Sequence, residues 1–181
     1  RLTGVPGDSF TNAAMQWGTE QEPIARDLYA EKTRSAVGVI GFVSHPMIEF
    51  SGASPDGLVE DMGLVEIKCP NTATHIETLL GQSIPSKYIG QMQWQLACTN
   101  RQWCDFVSFD PRMPPHMQMF VKRIQRDDDY IAELAANVII FLGEVDEMEK
   151  RLRAIANTAP QPTTTATPQA GAADAVPPLE L

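Results

Sequence analysis

Between residues 11 and about 34, apolar side chains recur at helical spacing, with Ile24, Ala25, Leu28 and Tyr29 on one face. Pro23 falls inside this stretch and predicts either a kink or a restart with proline in the first turn. The period then changes. Residues 37–45 (VGVIGFVSH) and 49–60 (EFSGASPDGLVE) are rich in strand formers, and GLVEIKCP is expected to pair back across a turn near Asp61-Met62-Gly63.

Helical spacing returns in TATHIETLLG and SKYIGQMQWQLACT. QWCDFVSFDP and MQMFVKRIQ then alternate Val, Phe and Ile with polar residues, as strands do. A long helix closes the fold, with Asp127 to Asp129 at its positive end and Lys150, Arg151 and Arg153 at the other. Its residues Ile131, Leu134, Val138, Phe141, Val145, Met148, Leu152 and Ile155 keep a 3-4 spacing for over three heptads, a seam that wants a partner. Packing on the chain's own sheet is the favoured reading, and a helix of another subunit is the other. The order of elements implies an α/β fold with a central mixed β-sheet flanked by helices.

From Asn157 the pattern stops: NTAPQPTTTATPQAGAADAVPPLEL is Pro, Thr and Ala without a basic residue. Such a segment cannot bury enough apolar surface to offset its ordering entropy, so 157–181 reads as a disordered tail after a domain over 1–156. At 181 residues one domain is expected. Net charge is −9, and only Asp174 and Glu180 of the 23 acids lie in the tail, so the folded part is also acidic. That balance excludes indiscriminate nucleic-acid binding but leaves room for a local basic groove. No run is apolar enough to span a membrane, and no export signal opens the chain, so a cytoplasmic location is expected. Cys69, Cys98 and Cys104 lack metal-site spacing and read as free thiols; His45, His75 and His116 are scattered and read as surface or loop residues.

The chemistry is concentrated in SPDGLVEDMGLVEIKCP, residues 54–70. Alternate strand residues share a face, so Glu66 and Lys68 point one way while Ile67 points into the core. A turn near residues 60–63 brings Asp56 across from Glu66. Two carboxylates and an ammonium then converge on rigid elements. Close carboxylates repel unless a cation lies between them, and hard oxygen donors suit Mg²⁺ or Mn²⁺. A lysine kept charged beside them can position a water or neutralise charge on a phosphate, which describes metal-assisted phosphodiester hydrolysis. An E-x-K triplet by itself is weak, since a solvated hairpin with an i,i+2 ion pair produces it too; V-E-I-K is the only [D/E]-x-K here and sits in strand context after P-D-G.

Taken in order, WGTEQEPIAR, SPDGL, LVEIKCP, YIGQMQWQL and FDPRM resemble the lambda exonuclease (YqaJ-type viral recombinase) family of the PD-(D/E)xK nucleases, over about Thr3 to Leu152. The resemblance implies a restriction-endonuclease-like core and a Mg²⁺-dependent 5′-to-3′ exonuclease on linear double-stranded DNA, with Mn²⁺ able to substitute and two ions per site. It implies Asp56, Glu66 and the Ile67 carbonyl as metal ligands, Lys68 as catalytic lysine, Glu22 approaching the second metal, and Gln91 orienting lysine and water. By themselves Glu22 would read as a surface acid and Gln91 as a helix-face amide. It further implies a ring-shaped homotrimer, a single-strand annealing partner, and phage or prophage origin. The family's N-terminal R-x-G-x-x-T-A-S segment, which holds the 5′-phosphate, has no counterpart before Arg1, so that part of the domain is expected to be absent. A PD-(D/E)xK endonuclease and a non-catalytic DNA-binding module are the alternatives.

Overall fold

Asn12 opens the first helix by accepting a hydrogen bond from the Met15 amide at 2.9 Å, and Arg34, in the left-handed conformation, closes it. The computed structural model describes residues 12–158. This helix, α1 (Ala13–Thr33), runs through Pro23 as one element, so the restart expected there does not occur. Pro23 is exposed, and the Thr19 carbonyl that loses an amide partner is on an exposed residue that water can reach.

The strand-rich stretch that follows is more broken than its composition suggests. It yields β1 (Val37–Gly38), β2 (Val43–Ser44), β3 (Gly52–Ala53) and β4 (Gly57–Val59), with β2 and β3 forming a separate two-stranded ribbon. Glu60, with φ of 46°, turns the chain from β4 into β5 (Gly63–Lys68). Then come α2 (Thr72–Gly81), α3 (Ile89–Thr99), β6 (Trp103–Phe109), β7 (Met119–Gln125) and α4 (Asp128–Thr158). The main sheet has the order β1-β4-β5-β6-β7, parallel only between β5 and β6, where α2 and α3 make the crossover. The mixed sheet with flanking helices is the architecture expected from the sequence.

Both faces of this sheet are covered. Val65, Ile67, Val107 and Phe109 pack with Ala25 and Tyr29 of α1 on one side; Leu64, Phe106 and Cys104 pack with Met92 and Leu96 of α3 on the other. The β5 strand is buried on both faces, with every residue from Gly63 to Ile67 out of solvent. Tyr29 donates to Asp105 at 2.6 Å, and Arg123 grips the same carboxylate at 2.7 and 2.8 Å, which ties α1 to the sheet centre.

His75 is not a surface residue. It is fully buried, with Nδ1 2.8 Å from the Ser108 hydroxyl and Nε2 2.8 Å from the Met117 carbonyl, joining α2 to β6 and to the segment entering β7. His45 stacks on Trp94 with ring centres 4.8 Å apart. Cys69, Cys98 and Cys104 are free thiols, as expected.

Asp127 caps α4 by accepting from the Tyr130 amide at 3.0 Å. The start of α4 packs on α3, where Ile131 is buried and Leu134 lies near Gly90. Ile131 packs in the core against Leu64, Cys104, Phe106 and Phe120 of the sheet, so the start of the seam packs as expected, but further along Phe141 is 61% exposed, Met148 63% and Ile155 66% among the described residues. The helix extends to Thr158, two residues into the segment read as tail; the remainder of the tail lies outside the described residues. Among the described residues no helix is long and apolar enough to cross a membrane.

Candidate functional site

Asp56 precedes β4 and continues its antiparallel register, in which Gly57 faces Val65, so that it stands opposite Glu66 of β5. Its Oδ2 accepts the Ile67 amide at 2.6 Å, taking the place of a ladder partner. One residue along β5 in each direction, Glu66 and Lys68 form an ion pair on the α3 face. The expected convergence of Asp56, Glu66 and Lys68 is present, and all three line an open cleft of about 820 Å³.

The cleft is walled by the first half of α1, the end of β5, the entry to α2 and the start of α3. Glu22, Gln91, Lys87 and Arg112 line it too. Glu22 pairs with Arg26 one turn later, and Arg26 Nε donates to the Asp56 carbonyl at 2.8 Å. Among the described residues no three His, Cys, Asp or Glu side chains form a ready-made metal cluster, and the Glu22 carboxylate is paired with Arg26.

Glu66 is fully buried, and both of its oxygens are engaged. Gln91 donates to Oε1 at 2.8 Å and Gln95 to Oε2 at 2.6 Å. The two glutamines lie four residues apart on α3, so they present amides from one helical face. Gln95 was not singled out in the sequence. Its i,i+4 relation to Gln91 within QMQWQ was the available signal, but which face looks at β5 is decided by how α3 docks. The Gln95 carbonyl oxygen is buried without a partner among the described residues.

The electrostatics follow from this crowding. Burial, followed by the nearby Glu66 charge, pushes the Asp56 carboxyl up to about 7, although the Ile67 amide opposes the shift. Burial works against the Lys68 ammonium, but the Glu66 and Asp56 carboxylates outweigh it and raise its pKa, so the lysine stays charged. The Tyr88 ring lies 5.2 Å below the same ammonium. Burial, with Glu22 and Asp56 behind it, pushes the Cys69 thiol up to about 12, which leaves it an unreactive neighbour.

The donor set fits a hard divalent cation. Two carboxylates and the Ile67 carbonyl supply oxygen only, in a cleft open to water, and Asp56 is held against ionisation by burial first and by the Glu66 charge second. Glu22 lines the same cleft from α1.

The YqaJ-like viral recombinase domain matches residues 2–102, more than half of the chain. The chain belongs to that family. An alkaline exonuclease from Laribacter hongkongensis has a similar structure, with 53% identity and a TM-score of 0.82 over 87% of this chain and 80% of that one. The same enzyme in complex with dAMP gives the same values. A phage-related exonuclease from Haemophilus somnus 129PT, 18% identical, shares the fold with a TM-score of 0.68 over 83% and 78% of the two chains. No curated protein matches the chain.

Proposed function

We propose that this protein is a Mg²⁺-dependent exonuclease that degrades one strand of linear duplex DNA from its 5′ end and leaves 3′ overhangs for strand annealing. The observation that carries the reading is the meeting of Asp56, Glu66 and Lys68 in one cleft. The family and its 53% identical alkaline exonuclease support the nuclease assignment.

Asp56, Glu66 and the Ile67 carbonyl would hold the metal, with Glu22 reaching a second ion after leaving Arg26. When bound, the metal supplies Lewis-acid stabilisation of the phosphate and a more acidic water. The chain's own residues do the rest. Lys68 brings a permanent positive charge to the phosphate, and its pairing with Glu66 keeps it aimed there when no substrate is bound. Gln91 and Gln95 hold the Glu66 carboxylate in one orientation, and Gln91, at the exposed end of the pair, is within the cleft to orient water. Arg26 fixes the Asp56 backbone.

The nuclease domain is assigned to residues 1–156, with the tail outside it, because among the described residues those that line the cleft lie between Ala13 and Arg112. A homotrimeric ring would reconcile an acidic chain with a DNA substrate, since basic residues need only line its inner wall. A single-strand annealing protein is its proposed partner.

Linear and circular duplex DNA, each offered with and without Mg²⁺, tests the reading. Loss of the linear substrate from its 5′ end only with Mg²⁺ is expected, with the circle untouched. Cutting of the circle would make the protein an endonuclease, and binding without cleavage of either would leave a non-catalytic DNA-binding module.

A further inference from the structure

Arg112 lines the same cleft as Asp56, Glu66 and Lys68, yet the chemistry above leaves it without a task. It follows β6 in the Asp110-Pro111-Arg112 turn. Asp110 is fully buried, and its carboxylate accepts Arg112 Nε at 2.7 Å and Nη2 at 3.0 Å in a fork. The Thr72 hydroxyl holds Asp110 from α2 at 2.6 Å, and Arg112 Nη2 also donates to the Pro70 carbonyl at 3.2 Å. On its flat side the guanidinium stacks over the Trp17 ring, 4.6 Å from its centre.

These contacts use Nε and Nη2, and they alone suffice to anchor the loop before α2. Nη1, with two N–H donors, makes no hydrogen bond among the described residues, and 47% of the side chain remains exposed. The Trp17 indole N–H beside it is buried and unpaired among the described residues. Lys87, on the same cleft, lies over the Tyr88 ring at 4.9 Å. A guanidinium fixed on three sides and open on the fourth has lost its rotamer freedom before any ligand arrives, so an anion that it meets is bound without that entropy cost.

We infer that Arg112, propped on Asp110 and Trp17, grips a phosphate of the DNA strand in the cleft through Nη1. The inference rests on the nuclease reading. A strand whose reacting phosphate lies at Lys68 carries neighbouring phosphates along the cleft, and Arg112 is the preorganised cation that meets one of them. The phosphate is either the strand's 5′-terminal group or an internal phosphodiester; both offer anionic non-bridging oxygens to Nη1.

The test is fluorescence-anisotropy binding of a short duplex to the full chain in EDTA, which prevents cleavage, over a range of salt concentrations. Duplexes with a 5′-phosphate and with a 5′-hydroxyl are compared, and thermal unfolding is followed for each protein. Arg112→Gln should weaken binding about tenfold and reduce the slope of log affinity against log salt by about 0.7 to 0.9. Arg112→Lys, which keeps the charge but not the fork, should retain the slope and lose part of the affinity. It serves as the folded comparison if the Gln variant melts early. A loss on both duplexes marks an internal phosphodiester, and a loss confined to the phosphorylated one marks the terminal group; either supports the inference. Wild-type binding with an unchanged affinity and slope in Arg112→Gln overturns it, as does full wild-type affinity in Arg112→Lys if the Gln variant does not fold. A wild-type chain that binds neither duplex overturns the nuclease reading and this inference with it.

Discussion

The Gln95 side-chain amide donates to Oε2 of Glu66 at 2.6 Å, between two residues that are both buried and 29 positions apart in the chain. The bond holds one oxygen of a carboxylate whose other oxygen is taken by Gln91 and Lys68.

Replacing Gln95 should loosen that carboxylate without removing it. Gln95→Met removes a buried unpaired side-chain carbonyl but leaves the buried Oε2 of Glu66 without its donor, so the melting temperature should fall. Cleavage should also fall by roughly 10- to 100-fold, with Mn²⁺ affinity down by a similar order. Calorimetric Mn²⁺ titration beside a cleavage assay checks both. Wild-type values for each would make Gln95 a packing residue only.

Asp56→Ala and Lys68→Ala should both abolish cleavage, for separable reasons. Asp56 is a proposed ligand, so its loss leaves too few oxygens and metal affinity falls. Lys68 competes with the metal for Glu66, so its loss should leave affinity equal or higher while removing a charge that contributes about 3 kcal/mol to the transition state. Mn²⁺ titration of the pair decides between them; metal lost with Lys68 and kept without Asp56 would reverse the assigned roles.

Asp110 makes a pH prediction. Burial raises its pKa, but hydrogen bonds from the Arg112 and Thr72 side chains and from the Arg112 amide outweigh this and bring it down to about 2. A carboxyl depressed in the folded state contributes stability that is full above its unfolded pKa of about 4 and lost as pH falls through about 2. The contribution is of the order of 2 kcal/mol. Urea unfolding between pH 5 and 2 should show the wild-type protein losing stability over that window; Asp110→Asn should start lower and fall less, and parallel curves would count against the depressed carboxyl.

The α4 surface carries the oligomer prediction. Ile140 and Phe141 are each 61% exposed on a helix whose seam is exposed at Phe141, Met148, Leu152 and Ile155 among the described residues. If a ring of three forms, part of this surface should lie in its interfaces. Light scattering should give a trimer for the wild-type chain and smaller species for Phe141→Glu, with the monomer's circular dichroism retained. A wild-type protein that stays monomeric at micromolar concentration would remove the ring.

Much of this protein was determined by local pattern. Helical spacing in α1, α3 and α4 and alternation in β5, β6 and β7 are readable because each depends on residues a few positions apart. The same locality makes the core of the site legible: Glu66 and Lys68 share a strand face by their spacing, and Asp56 reaches them across one short turn. Tertiary structure decided what comes from far along the chain. Docking of α3 covers the strand face that carries Glu66 and makes it a buried acid held by Gln91 and Gln95. Docking of α1 turns Arg26 to Asp56 and Trp17 to Arg112, while α2 buries His75 against Ser108. Such contacts depend on the relative placement of whole elements, to which many distant side chains contribute at once. No short window of sequence contains that information.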